Sequence, residues 1–219
     1  MNMNFEQARN NMVKQQIRPW DVIDHRVLET LDSIQREDFA PARYRKLAYA
    51  DMAIPLDHGQ QMMHPVIEGR LLQAIDLQTD ETVLEIGTGS GFLSACLARL
   101  GKAVCSVDIH PELSLQACKT LKSKKINNIE CFTGDALNGW MPEQAHDVVV
   151  VTGGVREIPK VFMEWVNPGG RLFIISGNSP AMEVRLLKRL NISDWENTSL
   201  FETDLPLLVN AEKATQFQF

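Results

Sequence analysis

The chain has 219 residues, of which 44% are hydrophobic, 23% charged and 7% aromatic; that balance suits a globular protein and excludes a disordered, collagen-like or disulfide-stapled one. With 22 Lys and Arg against 28 Asp and Glu, the net charge is −6, which argues against a nucleic-acid partner held by phosphate neutralisation. Cys96, Cys105, Cys118 and Cys131 form no CxxC pair and read as reduced, buried thiols, and no metal site is expected. The opening MNMNFEQARNNMVKQQ lacks the apolar core of a signal peptide. No stretch approaches the ~18 apolar residues of a membrane span, so a cytoplasmic protein with no membrane partner is expected.

Residues 5–34 read as helical. Val22, Ile23, Val27, Leu28, Leu31 and Ile34 recur at helical spacing, Asp24 is placed to cap a second helix, and Pro19 separates the two. Pro41, Pro55, Gly59 and Pro65 punctuate an irregular stretch over residues 35–65, followed by a helix from Val66 to Ile75. Then the pattern changes. Strands are predicted at Thr82–Ile86, Ala103–Val107, Ile129–Phe132, Asp147–Thr152 and Gly170–Ser176, with helices at Gly91–Leu100, Pro111–Lys124 and Pro159–Val166 between them. The four consecutive valines 148–151 leave no wet face. Alternating strands and helices, with strands apolar on both sides, predict an α/β fold with a mostly parallel sheet covered on both faces. Two further strands are expected in the last forty residues, ending in Leu205–Val209 or in Thr215–Phe219.

The segment Leu84-Glu85-Ile86-Gly87-Thr88-Gly89-Ser90-Gly91-Phe92 follows a strand and opens a helix. Glycines permit a tight turn and close approach of a ligand to the backbone, and the N–H groups of a helix start favour an anion. Asp108 comes at the end of the next strand, where a carboxylate accepts hydrogen bonds from ribose hydroxyls. The dinucleotide fingerprint is GxGxxG, whereas this loop reads GxGxG and carries an acid, Glu85, two residues before its first glycine. Gly134-Asp135-Ala136 follows the third strand of the set, at the same sheet edge.

This combination resembles motif I of the Rossmann-like, class I S-adenosylmethionine-dependent methyltransferases. A narrower likeness runs over residues 10–177. Met12–Ile17, Arg36-Glu37…Phe39…Pro41, Tyr49-Ala50-Asp51…Ile54-Pro55-Leu56, Gly59-Gln60…Pro65, Glu157-Ile158-Pro159 and Pro168-Gly169-Gly170-Arg171-Leu172 resemble, in order and spacing, the protein-L-isoaspartate O-methyltransferases. The resemblance implies methylation of the free α-carboxylate of isoaspartyl residues in damaged proteins, with S-adenosylmethionine as cofactor. It implies cofactor contacts at Glu85, Gly87, Thr88, Gly89, Ser90, Gly91, Asp108, Ile109, Asp135, Ala136 and Thr152. It also implies one domain over residues 1–219, with a helical and acceptor-lid extension over 1–75 and a cofactor-binding core over 76–219.

The departures from that family lie at the acceptor side. Its signature carries Thr and Ser where this chain has Gln61 and Met63, in Gly59-Gln60-Gln61-Met62-Met63-His64-Pro65. Its usual Thr-Ala-Ala is Thr152-Gly153-Gly154 here, and its C-terminal Arg-Phe-Val-Pro-Leu arm has no counterpart in Leu205-Pro206-Leu207-Leu208-Val209. Met63 cannot donate a hydrogen bond, whereas Gln61 and His64 can, which makes Gln61, Met63 and His64 the candidate acceptor-site residues. A carboxylate acceptor needs positioning and desolvation rather than a base. The alternatives are a hydroxyl or amine acceptor with His64 as base, or a non-catalytic protein that binds S-adenosylmethionine. Residues 57–65 are expected to form a lid over the transferred methyl.

Overall fold

The computed structural model describes residues 4–211. Helix α1 (Phe5–Asn11) starts on Asn4, whose side chain accepts from the Gln7 amide, and runs into a π-turn over Met12–Ile17 and a 3-10 turn over Arg18–Trp20 that contains Pro19. Helix α2 (His25–Ser33) begins on Asp24, which accepts from the Arg26 amide at 2.8 Å as its sequence position predicts. The helical region over 5–34 is therefore real, but it is broken into four pieces rather than two. Short 3-10 turns occur at Arg36–Asp38, Ala42–Leu47 and Asp57–Gly59. A two-residue ladder pairs β1 (Ile54–Pro55) antiparallel with β2 (Gln61–Met62), and α3 (Pro65–Ile75) follows, with proline at its first position.

Seven strands then build one sheet. They are β3 (Thr82–Ile86), β4 (Ala103–Asp108), β5 (Ile129–Thr133), β6 (His146–Val155), β7 (Val166–Asn178), β8 (Ala181–Arg189) and β9 (Trp195–Thr203). Helices α4 (Phe92–Leu100), α5 (Pro111–Ser123) and α6 (Lys160–Glu164) connect them. The spatial order is β5-β4-β3-β6-β7-β8-β9; the first five strands pair in parallel and β8 and β9 are antiparallel. The chain moves outward from β3 through β4 to β5 and returns to place β6 on the other side of β3. Strand order reverses there, which opens a crevice at the carboxyl ends of β3, β4 and β6.

The four valines show how the sheet is covered. Val148 and Val150 belong to one apolar layer with Phe92, Leu97, Leu72 and the amino-terminal Met12 and Ile17. Val149 and Val151 belong to the other, with Phe162, Trp165 and Ile174. All four are fully buried, so alternation at period two feeds two cores at once. The amino-terminal helices share their layer with the sheet.

Several boundaries differ from the sequence expectation; β6 and β7, for example, run longer than predicted at both ends. The helix predicted over Pro159–Val166 is only Lys160–Glu164, because Val166 already pairs with His146. The two late strands occur, but at 181–189 and 195–203. Leu205–Val209 is not a strand: it makes a single parallel bridge, Leu207 to Gly154. Residues 215–219 lie outside the described residues. All four cysteines are free, but only Cys96 is buried and the other three are half-buried, so the reading of four buried thiols holds for one.

Candidate active site

The crevice at the switch point is a continuous cleft with two ends. Ile86, Asp108, Ile109, Ala136 and Leu208 are among the residues at one end; Gln61, Met63, Thr88, Ser90 and Thr152 are among those at the other; Gln60, Gly87, Asp108 and Leu208 belong to both. The fold positions each group. Gly87 ends β3 with φ of 101°, and a Cβ there would lie 2.1 Å from the Thr152 hydroxyl oxygen, so only glycine fits. Thr152 sits near the end of β6 and donates to the carbonyl oxygens of Ile86 and Gly87, at 3.0 and 2.7 Å, which pins the loop to the neighbouring strand.

Asp108 ends β4 and is 7% exposed. Its Oδ2 accepts from the Gly89 amide at 2.8 Å and its Oδ1 from the His110 amide at 2.9 Å. These two bonds fix the carboxylate in the cleft while leaving each oxygen a lone pair for a ligand hydroxyl. Asp135 accepts from the Leu137 amide at 2.9 Å through Oδ1 and from the Asn210 side-chain amide at 2.7 Å through Oδ2. Ile109 and Ala136 supply apolar walls at the same end.

Glu85 does not line the cleft. It is wholly buried behind the loop, where its Oε2 accepts from Ser94 of α4 and, at 2.6 Å, from Ser106 of β4. The Ser106 hydroxyl lies 2.6 Å from that of Thr88, so Glu85 reaches the loop through two hydroxyls. Its Oε1 has no partner among the described residues, and burial pushes the carboxyl up to about 7 despite the two serine donors. Gly91 also stands off the cleft. It precedes α4 with φ of 84°, and a Cβ there would lie 3.0 Å from the Ala117 methyl, so it serves the packing of α4 on α5.

On the acceptor side, Gln61 and Met63 line the end of the cleft that holds Thr88 and Ser90. Met62 and Met63 are 4% and 5% exposed. They form a packed wall, and within residues 57–65 only the turn at Asp57–Gly59 stands out in solvent. His64 is not with them. It lies in an adjoining groove with Gln61, Arg156, Asn178 and Asp204, its Nδ1 3.3 Å from Asp51. Two contributors were quoted in the sequence reading without a contact at the site. Arg36 is buried and donates to the Met63 carbonyl oxygen at 2.6 Å. The segment 205–210 crosses the cleft: Leu208 donates its amide to the Gly154 carbonyl at 2.8 Å and places its side chain against Gly153, where a Cβ would come within 2.7 Å. The glycines at 153–154 thus make room for this arm, which reaches both ends of the cleft.

A Gly-rich loop between two parallel strands, an acid at the end of the second strand and an apolar slot beyond it define a Rossmann-like, class I methyltransferase. The sequence comparisons narrow that class. A family model for Protein-L-isoaspartate(D-aspartate) O-methyltransferase (PCMT) matches residues 7–201. The chain is 35% identical over 210 residues to Protein-L-isoaspartate O-methyltransferase 2 of Pelobacter propionicus, covering 95% of this chain and 93% of that one. It is 37% identical over 188 residues to the Protein-L-isoaspartate O-methyltransferase of Opitutus terrae, covering 84% and 80%. A Plasmodium falciparum structure described as a beta-aspartate methyltransferase (PCMT), in complex with S-adenosyl-L-homocysteine, shares the fold with a TM-score of 0.79 at 18% identity over 94% of this chain and 99% of that one. The chain belongs to the protein-L-isoaspartate O-methyltransferase family. It is a methyltransferase, and its cofactor is S-adenosylmethionine.

Proposed function

We propose that this enzyme methylates the free α-carboxylate of L-isoaspartyl residues in damaged proteins, in the cytoplasm, with protein chains as its partners. The observation that carries this reading is the place of Gln61, which lines both the methionine end of the cleft and the groove that holds His64 and Arg156. A peptide lying in that groove meets the cofactor cleft at a side-chain amide that can donate to a carboxylate oxygen.

The cofactor supplies a methyl group already activated on a sulfonium. Asp108 would accept from the ribose hydroxyls, Asp135 from the adenine amino group, and the Gly87–Ser90 backbone would hold the methionine carboxylate. Ile109, Ala136 and Leu208 exclude water from the adenosyl end. The titratable side chains at the methionine end are Glu68 and Asp108. Glu68 is tied to Arg36 at 3.1 Å, and both oxygens of Asp108 already accept backbone bonds. With Glu68 committed to Arg36 and the open lone pairs of Asp108 turned to the ribose in this reading, neither serves as a base for a hydroxyl or amine, which favours an acceptor that is already a nucleophile. His64 lies along the groove, where it is placed to contact peptide rather than remove a proton at the transferred methyl.

The test is methyl transfer from labelled S-adenosylmethionine to an isoaspartyl peptide and to the same peptide with a normal aspartyl bond. Label on the isoaspartyl peptide alone is expected. Equal label on both, or label only on a hydroxyl or amine acceptor, overturns the reading.

A further inference from the structure

His58 and His110 carry a contact that the cofactor loop does not explain. His58 is at the tip of the lid, in a 3-10 turn over Asp57–Gly59, and has φ of 59°, in the left-handed region that residues with a side chain seldom adopt. His110 follows Asp108 by two positions and precedes the first turn of α5. The two rings are stacked, with centroids 4.3 Å apart and planes 4° from parallel. Glu112, on the first turn of α5, also meets the lid ring, its Oε2 3.2 Å from His58 Nε2.

His110 also borders the cleft. It lines the adenosyl end beside Asp108 and Ile109, and its backbone amide donates to Asp108 Oδ1. Its Nε2 is buried and has no hydrogen-bond partner among the described residues. A buried polar nitrogen without a partner is costly, and one lying beside a ligand cleft is commonly satisfied by the ligand. Immediately after the lid tip comes Gln60, which lines both ends of the cleft, and the Leu56 amide donates to the Gln60 carbonyl at 2.8 Å to close the turn. Displacing the His58 ring therefore moves the backbone that leads directly into the cleft wall.

We propose that His110 binds the adenosyl half of the cofactor through its Nε2, and that His58 is a positioning residue which, by stacking on His110, latches the lid tip over that half. The stack makes one ring common to the lid and the cofactor site, so lid closure and cofactor retention are coupled through it. This inference rests on the cofactor lying in the cleft with its ribose on Asp108.

The probe is S-adenosylhomocysteine, titrated by calorimetry and followed in displacement kinetics, on the full chain. His110→Phe keeps a flat ring for the stack and removes the nitrogen; it should weaken binding by roughly two- to tenfold, the range for one neutral hydrogen bond, while the ligand still slows proteolysis at residues 57–61. His58→Ala keeps the nitrogen and removes the stack. It should release the ligand roughly two- to tenfold faster and abolish that protection, and His58→Phe should restore both. Asp108→Ala is the control for placement. Weak binding by Asp108→Ala with wild-type affinity in His110→Phe overturns the role of His110. Wild-type release and protection in His58→Ala overturn the latch. Wild-type affinity in both Asp108→Ala and His110→Phe overturns the cofactor placement itself and the inference with it.

Discussion

Arg36 and Glu68, 32 residues apart in the chain, meet as a two-pronged ion pair inside the protein, Nε to Oε2 at 3.1 Å and Nη2 to Oε1 at 3.2 Å, with side chains 0% and 3% exposed. The same guanidinium donates from Nη2 to the Met63 carbonyl and stacks over the Phe92 ring, its Cζ 5.0 Å from the centroid. It therefore ties the Met62–Met63 wall of the cleft to α3 and α4. Burying two charges is repaid only when the geometry is good and the remaining donors are satisfied, and here both conditions hold.

Removing one partner should be far worse than removing both. Arg36→Met leaves Glu68 as an uncompensated buried charge and should cost about 3–5 kcal/mol in urea unfolding, whereas Arg36→Met combined with Glu68→Leu should cost less than Arg36→Met alone. A double variant at least as unstable as the single would show that the pair is not the source of the loss.

Glu85 gives the protein a pH-dependent stability. Its carboxyl is raised from an ordinary 4.5 to about 7 in the folded chain, so the folded state holds its proton more tightly than the unfolded state does. The contribution is complete below about pH 4.5 and is lost as pH rises through about 7, which at about 1.4 kcal/mol per pH unit amounts to roughly 3 kcal/mol. Glu85→Gln should make Tm fall less steeply with pH over that window, the remaining slope coming from Glu68, whose carboxyl burial also raises to about 7. A variant whose Tm falls with pH as steeply as the parent's would place the effect elsewhere.

At the arm, Gly153→Ala puts a methyl 2.7 Å from Leu208 Cδ2, and Gly154→Ala puts one 2.4 Å from Met182 Cε and 3.3 Å from the Leu205 carbonyl oxygen. Met182 is flexible but the Leu205 backbone is not, so Gly154→Ala should be the more disruptive, by about 1–3 kcal/mol. The local readout is amide exchange at Leu208, whose N–H bonds Gly154; it should quicken in both variants. Unchanged exchange would mean that the arm does not depend on the two glycines.

His64 and Met63 separate groove binding from proton transfer. His64→Ala should raise KM for an isoaspartyl peptide and leave kcat within about twofold; a fall of about 10²–10⁴ in kcat would instead make His64 a base. Met63→Ser adds a hydroxyl to the wall beside the cleft and should raise methyl transfer to the isoaspartyl peptide, at a stability cost of about 2 kcal/mol or more from lost packing. No gain in transfer would show that a donor at this position does not limit the reaction.

The parallel core of the sheet and the residues that line its crevice were legible in the sequence alone. Both are local: a β-rich run, a Gly-rich turn and a helix start are contiguous, and Asp108 and Asp135 recur at strand ends, where the fold must bring them to one edge. Period-two burial of valines 148–151 was equally legible, because a parallel strand covered on both faces must be apolar throughout. Tertiary structure alone decided three things. Glu85 was expected at the cofactor but points behind the loop, since the side a strand residue faces depends on register with its neighbours. His64 is close to Met63 in sequence yet lies in another groove, because the helix that starts at Pro65 turns the chain away. The arm over Gly153–Gly154, the Arg36–Glu68 tie and the His58–His110 stack join residues tens of positions apart. Such contacts depend on which surfaces the folded chain brings together, and no spacing along the sequence encodes them.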